Sequence, residues 1–443
     1  MSELAYQEAL AALQRRGRFG IRLGLGRTRA LLRGLGDPHL AVRGALVAGT
    51  NGKGSVLALA GAALRSGGLR VGETPKPHLV SYRERLQIDG RAVDAETFGR
   101  LVGQVLPVAD LVARRHGAPT EFELLTAVVF LWFAEVGVDV ALVEVGLGGR
   151  LDATHAWDGG VAVITNVDLD HTDLLGTTVT AIAREKAAII ERGDRAVTGA
   201  TGEALAVVQR RARRLSVPLT VTGAAPLLGM DRDGIRVALP GLGPVQIGLR
   251  GRHQAHNVAA ADATLDALEL AGIASVPPLS RRAGYAAVRW PGRLEIIPLP
   301  DGRDVLLDGA HNPAGARTLA VALDDLRPFL AGADQPGRRP LILLTAMMRD
   351  KDVEGTVAAI DSAAALDGAT VICTQVEGDR ALAASSLAAA WRAAGRPAAV
   401  LAEPDLERAF QRSLEAASGT VVVAGSLYLV GAVRERLVGP GLE

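Results

Sequence analysis

Ala45-Leu46-Val47-Ala48-Gly49-Thr50-Asn51-Gly52-Lys53-Gly54-Ser55 is a short apolar run that leads straight into a glycine-bracketed lysine and a hydroxyl, before an alanine-rich helical stretch from Val56. A strand, a glycine turn and a helix start in that order aim several backbone N–H groups at one point, where a polyphosphate can sit. Lys53 adds a mobile positive charge, and the Ser55 hydroxyl is placed to reach a magnesium ion. The spacing is tighter than the usual G-x-x-x-x-G-K-[ST] loop, so the match is a variant. Gly49, Thr50, Asn51, Gly52, Lys53, Gly54 and Ser55 together are read as an ATP phosphate loop.

Around this loop, strand-like apolar runs alternate with helix-like segments, which predicts parallel sheets with crossover helices. Strands are expected at 45–49, 138–145, 161–165 and 196–198, and helices at 55–66, 95–116, 121–135, 178–191, 203–214 and 254–270. Residues 217–249 lack helical periodicity and read as a small β-rich excursion. Five prolines between Gly272 and Pro300 mark the expected interdomain connection. Beyond it, strands are expected at 305–307, 341–345, 370–374, 398–401 and 420–424. The expected fold class is therefore α/β with two doubly wound domains: 1–293, a P-loop ATPase-like domain, and 294–443, a smaller Rossmann-like domain.

The bulk numbers exclude several classes. A chain of 443 residues exceeds what one core normally supports. A net charge of +1 points to neither nucleic acid nor an anionic membrane as partner. No apolar run approaches the roughly 18 residues that span a bilayer. The lone cysteine, Cys373, lies in an apolar run and reads as a buried strand thiol. A reducing cytoplasm fits these features.

Other candidate groups stand just past apolar strands. Glu144 precedes Gly146, Gly148 and Gly149, where it is placed to hold a metal bridging phosphates while the glycines let backbone approach a ligand. Asp168, Asp170, His171 and Asp173 cluster after the next strand and suit a metal or phosphoryl site. Asp308 and His311 repeat the design in the second half, with Pro313 at a helix start. Lys186, on an amphipathic stretch beside Glu185, reads from its spacing as a surface lysine.

Ten colinear strings over some 380 residues resemble the bifunctional dihydrofolate synthase/folylpolyglutamate synthase family of the Mur ligase superfamily. They are AGTNGKGS from Ala48, PHL from Pro77 with Glu84-Arg85 beyond it, Phe122-Glu123, EVGLGGRLDAT from Glu144 and ITNVDLDHTDLLG from Ile164. The rest are IAREKA from Ile182, GRHQAHN from Gly251, PGRLE from Pro291, LDGAHNPAGA from Leu307 and SLYLVG from Ser426. The resemblance implies a Mur ligase central domain followed by a glutamate ligase domain. It implies an ATP-dependent ligase that joins L-glutamate to dihydropteroate or a folate through an acyl phosphate.

By the same resemblance, Lys53 and Ser55 hold ATP phosphates and a first magnesium ion, and Glu144 and His171 ligate a second. Lys186 is implied to be an N6-carboxylysine, which reverses the surface reading. Asn257, Arg293 and Asp308 contact the nucleotide. His311 and Ser426 lie near the glutamate, while Pro77, His78, Arg85, Phe122 and Asp152 lie near the pterin. The implied catalytic set is Lys53, Lys186, His171 and His311, in a cytoplasmic monomer.

One position departs from the family pattern. Lys76 stands directly before Pro77, where the family carries a serine that ligates the second magnesium. An ammonium cannot ligate a cation and repels it. Three outcomes are consistent with the sequence: Lys76 swings out, it replaces the second metal as charge neutraliser, or the site is degenerate. The competing functional readings are a Mur-type cell-wall ligase and a non-catalytic ATP-binding paralogue. No N-K-x-D string for reading guanine occurs.

Overall fold

The computed structural model describes residues 5–17, 24–332 and 340–439. Its largest sheet holds eight strands: β1 (Gly44–Ala48), β2 (Val71–Thr74), β3 (Gln87–Ile88), β4 (Arg91–Ala92), β5 (Val140–Glu144), β6 (Gly160–Ile164), β7 (Arg195–Thr198) and β8 (Leu219–Val221). They run in the order β4-β3-β2-β5-β1-β6-β7-β8. Pairing is parallel from β2 through β8 and antiparallel for β3 and β4. Strand β1 is central because both its faces are apolar. Leu46 and Ala48 enter one core, and Ala45 and Val47 enter the other. Alternate residues of a strand point to opposite faces, so this run can be buried only between two helical layers.

The helix Lys53–Ser66 that follows β1 is buried at every position from Ser55 to Leu64. A helix apolar all round belongs in the middle of a layer. It packs against the helices Gln254–Leu270 and Pro278–Ala287. The helix Glu121–Val136 starts at a capping box in which Thr120 and Glu123 satisfy each other's backbone N–H groups.

The stretch 217–249 read as a single excursion divides. Leu219–Val221 is β8 and extends the large sheet. Only β9 (Leu227–Met230), β10 (Ile235–Leu239) and β11 (Gly243–Ile247) form the separate antiparallel sheet. The proline-rich stretch from Gly272 to Pro300 is not a bare tether either. Prolines suit helix starts and edge strands. Pro278 accordingly opens a helix, and Pro298 ends β12 (Glu295–Pro298), an antiparallel edge strand.

The remaining sheet has the order β12-β13-β17-β14-β15-β16, with β13 (Asp304–Leu307), β14 (Ile342–Thr345), β15 (Thr370–Cys373), β16 (Ala399–Ala402) and β17 (Thr420–Ala424) all parallel. Leu306 faces one core and Val305 and Leu307 the other, which is the doubly wound arrangement expected. Cys373 is buried in β15, where burial pushes its thiol up to about 12. Among the described residues, no helix is long and apolar enough to cross a membrane.

Candidate active site

The C-terminal ends of the parallel strands open onto a cleft of about 1790 Å³ that both sheets border. Open α/β sheets bind ligands at this edge. The glycine loop forms its floor. Gly52 adopts φ +81° as the N-cap of the helix Lys53–Ser66, and a Cβ there would meet Asn257 Oδ1 at 2.4 Å. The loop is pinned to the chain leaving β6. Thr50 Oγ1 donates to the Asp168 carbonyl (3.1 Å), Asn51 N–H donates to Asn166 Oδ1 (2.8 Å) and Thr165 Oγ1 donates to the Asn51 carbonyl (2.6 Å). Ser55 lies in the first helical turn, and Gly54 faces the Trp290 ring.

Cations crowd this floor. Lys53 Nζ folds back onto the Gly49 and Thr50 carbonyls, each at 3.2 Å, and lies 3.9 Å from Glu144 Oε1. Lys186 Nζ donates to the same Gly49 carbonyl at 2.8 Å. Only 4% of Lys186 is exposed, which corrects the surface-lysine reading. Burial, with Lys53 nearby, brings its amine down to about 7. The amphipathic spacing was real, but the face carrying Lys186 packs inward onto the loop.

Lys76 does not swing out. Its backbone N–H donates to Glu144 Oε2 (2.8 Å), its Nζ donates to the Glu144 carbonyl, and the ammonium stands 5.0 Å from the centroid of the Phe122 ring. Burial lowers Lys76 to about 8, opposed by Asp152 and Glu144. Burial also holds the Glu144 carboxyl above the ordinary range, opposed chiefly by Lys53.

His171 lines the same cleft from a left-handed conformation (φ 49°) and is exposed, with Nε2 3.7 Å from Asp170 Oδ2. No group of three or more His, Cys, Asp or Glu side chains suited to a metal converges among the described residues. Ser55, Glu144 and His171 all line this cleft and are the candidate donors for a divalent cation, to be joined by ligand oxygens. That set suits a hard ion such as magnesium, which keeps few protein ligands and takes phosphate oxygens.

The second domain supplies the opposite wall. Asp308 is occupied by its own chain: Oδ2 accepts from Leu294 N–H (3.0 Å) and Oδ1 from Ala310 N–H (2.9 Å). It thereby shapes the turn that presents Arg293 and His311. The Arg293 guanidinium lines the cleft, and Gly309 leaves room for it. His311 Nδ1 lies 2.8 Å from the Gly309 carbonyl, so this nitrogen carries the proton and Nε2 remains an acceptor. Burial pulls His311 down to about 4, and the ring is neutral at cellular pH. Asn257 lines the cleft and donates to Gln254 Oε1 (2.8 Å). Ser426 sits behind the lining residues Leu427 and Tyr428, with its buried Oγ unpartnered among the described residues.

At the far end, His78 accepts from Arg85 Nε at 2.9 Å and packs on Tyr82. Pro77 and Phe122 line the same end. Asp152 lines it too, but its oxygens accept from Leu147 N–H (2.8 Å), Thr154 N–H (3.0 Å) and Thr154 Oγ1 (2.6 Å). Sequence reasoning missed Trp290 and Glu121 as cleft residues. Trp290 directly precedes the PGRLE string and was within reach of it. Nothing in the sequence separates Glu121 from an ordinary first-turn acid.

Comparison with known proteins agrees with this architecture. Residues 47–265 match the Mur ligase middle domain, and residues 292–427 match the Mur ligase glutamate ligase domain. The chain is 32% identical to the dihydrofolate synthase/folylpolyglutamate synthase of Bacillus subtilis, over 98% of this chain and 99% of that protein. Among solved structures, Mycobacterium tuberculosis folylpolyglutamate synthase complexed with ADP superimposes with a TM-score of 0.86 at 32% identity, covering 98% of both chains. The bifunctional folylpolyglutamate synthase/dihydrofolate synthase of Yersinia pestis, complexed with AMPPNP and manganese ion, gives 0.81 at 30% identity, again over 98% of each.

Proposed function

The chain belongs to the dihydrofolate synthase/folylpolyglutamate synthase family of Mur ligases, and we propose that it joins L-glutamate to the carboxylate of dihydropteroate, a reduced folate, or both, in an ATP-dependent reaction. The observation that carries this reading is one cleft with a phosphate-type loop on one wall and Arg293 with His311 on the other.

The acceptor carboxylate oxygen forms a bond to the γ-phosphorus as the bond to ADP breaks, giving an acyl phosphate. The glutamate amine then forms the amide bond, orthophosphate leaves and the amine loses a proton. The first step brings an anion against a polyanion. Lys53 and the N–H groups at the helix N-terminus offset that repulsion and stabilise charge on the group in transfer. Ser55, Glu144 and His171 would hold a divalent cation, which would supply more of the same neutralisation. The Lys76 ammonium beside Glu144 takes over charge that a second ion would otherwise carry. His311, neutral with a free Nε2, accepts an N–H of the incoming glutamate, with Ser426 on the same side. Asn257, Arg293 and Asp308 are assigned to the nucleotide, and Pro77, His78, Arg85, Phe122 and Asp152 to the pterin.

Lys186 is proposed to carry a carbamate: its amine, uncharged in part at neutral pH, bonds to carbon dioxide and releases a proton. An anion there would answer the charge of Lys53. Intact-protein mass spectrometry in bicarbonate buffer is expected to find one added carbon dioxide, absent from Lys186→Ala protein. A wild-type mass without it rejects the modification.

The reading as a whole is tested by orthophosphate release. With ATP and glutamate, either dihydropteroate or tetrahydrofolate is expected to trigger it. Silence with both acceptors rejects the function. We further propose a cytoplasmic monomer, which sedimentation of the purified protein checks for its oligomeric part.

A further inference from the structure

The loop that carries Pro77, His78 and Arg85 reaches out of its own domain at its tip. Glu84 fixes the shape of that tip: its carboxylate accepts from the N–H groups of Leu79 (2.6 Å), Val80 (2.8 Å) and Ser81 (2.7 Å). A carboxylate that holds three backbone donors leaves the turn little freedom. The turn projects Leu79 onto a core of the second domain that includes Leu307, Leu429, Val430 and Val433.

The seat is shaped for this leucine. Gly431 lies in the helix Leu427–Val438, and a Cβ there would fall 2.1 Å from the Leu79 carbonyl oxygen and 3.0 Å from its carbonyl carbon. Those are backbone atoms in close packing, so nothing larger than glycine fits while the loop is docked. On the other side, a Cβ on Gly292 would lie 3.3 Å from Leu79 Cδ2 and 3.0 Å from Val430 Cγ1. Two glycines and Val430 thus form a socket for one side chain.

The plain alternative is ordinary interdomain packing, in which Leu79 contributes only apolar burial. The neighbours of the contact argue for more. On the loop, His78 accepts from Arg85 Nε (2.9 Å), and Lys76 holds Glu144 through its backbone N–H (2.8 Å). In the second domain, Gly292 directly precedes Arg293, which lines the cleft. The contact therefore sets the distance between residues assigned to the acceptor and one assigned to the nucleotide. Tyr6, on the helix Tyr6–Arg15, bonds Ser81 Oγ at 3.1 Å, so the loop is held from the first domain as well.

We propose that Leu79 and Gly431 are positioning residues for the ligation: docking of the leucine in its socket brings the acceptor loop into register with Arg293 and the nucleotide. The assignment rests on the ligase reading above and adds to it the contact through which the second domain organises acceptor binding.

Gly431→Ala adds one methyl group against the Leu79 carbonyl, and Leu79→Ala empties the socket. In steady-state orthophosphate release, either variant is expected to raise KM for the acceptor about tenfold to a hundredfold, as a small misplacement of a reactant does, with KM for ATP close to wild type. The melting temperature of Gly431→Ala is expected to match or exceed that of wild type, because alanine outranks glycine inside a helix. Packing alone would not give that combination. The double variant is expected to lose no more than the worse single one, since both act through one contact. Amide hydrogen exchange across residues 77–85 is expected to quicken in both variants. Unchanged exchange, an unchanged acceptor KM, additive losses, or equal weakening towards ATP and acceptor each overturn the proposal. Should Gly431→Ala fail to fold, the same KM split in Leu79→Ala decides the matter. Wild-type protein that turns over while the variants keep its acceptor KM overturns this inference and leaves the ligase reading standing. Wild-type protein that releases no orthophosphate with either acceptor overturns both.

Discussion

Lys53 is where the chemistry depends most on a single side chain. It is tethered to the Gly49 and Thr50 carbonyls and points its charge towards Glu144, so it sits where phosphate charge would build up. Lys53→Ala is expected to lower turnover on the order of a thousandfold, the loss of about 4 kcal/mol of transition-state stabilisation. Steady-state orthophosphate release measures it, and near-normal turnover would contradict the role. Lys76 makes a different prediction, because its ammonium already stands over the Glu144 carbonyl. If that charge does a cation's work, Lys76→Ser protein needs severalfold more magnesium for half-maximal rate. A magnesium titration that superimposes on wild type would dismiss the idea. The Lys76 contact does not follow from local sequence: Lys76 and Glu144 are 68 positions apart.

At the scale of elements, the phosphate loop depends on how the helix Lys53–Ser66 is held. The helix Pro278–Ala287 lies so close that a Cβ at Gly284 would fall 2.5 Å from the Ala62 carbonyl oxygen and from the Ala63 Cα. Those are backbone atoms and cannot step aside cheaply. Gly284→Val should therefore separate the two helices and destabilise the fold by about 1–3 kcal/mol, as overpacking does. Urea unfolding reads the change, and an unaltered midpoint would refute it. The apolar runs of β1, β5, β6 and β17 were legible as buried strands because central parallel strands are apolar on both faces. Strands β2 to β4 escaped notice because Glu73, Gln87 and Arg91 break that pattern. The helix inside the proline-rich stretch escaped for the opposite reason: prolines that punctuate loops also begin helices.

For the whole molecule, the cleft exists only while the two large sheets keep their places. Arg232, in the turn between β9 and β10, reaches across to Asp304 of β13 with both guanidinium nitrogens (2.8 and 2.6 Å) and to the Phe329 carbonyl (3.0 Å). Arg252 pairs with Asp325 nearby. The small antiparallel sheet thus acts as a clasp. Arg232→Ala leaves Asp304 buried with only the Ala331 N–H. The expected cost is about 1–2 kcal/mol, discounted because the arginine is partly exposed. Calorimetry should show the second domain melting earlier, and a superimposable thermogram would refute the clasp. Closure of such domains also matters for chemistry, since an acyl phosphate hydrolyses if water reaches it.

From the sequence alone came the α/β class, the two doubly wound sheets and the phosphate loop, because each rests on contiguous residues whose apolar rhythm or glycine spacing has few physical solutions. Tertiary structure alone decided which charged side chains are buried and which have partners. Lys186 looked like a surface residue until its contact 137 positions away, at the Gly49 carbonyl, was in view. Glu121 looked like any first-turn acid until the fold buried it, with its Oε2 unpartnered among the described residues. Burial and pairing belong to long-range contacts, and a local pattern carries no record of them.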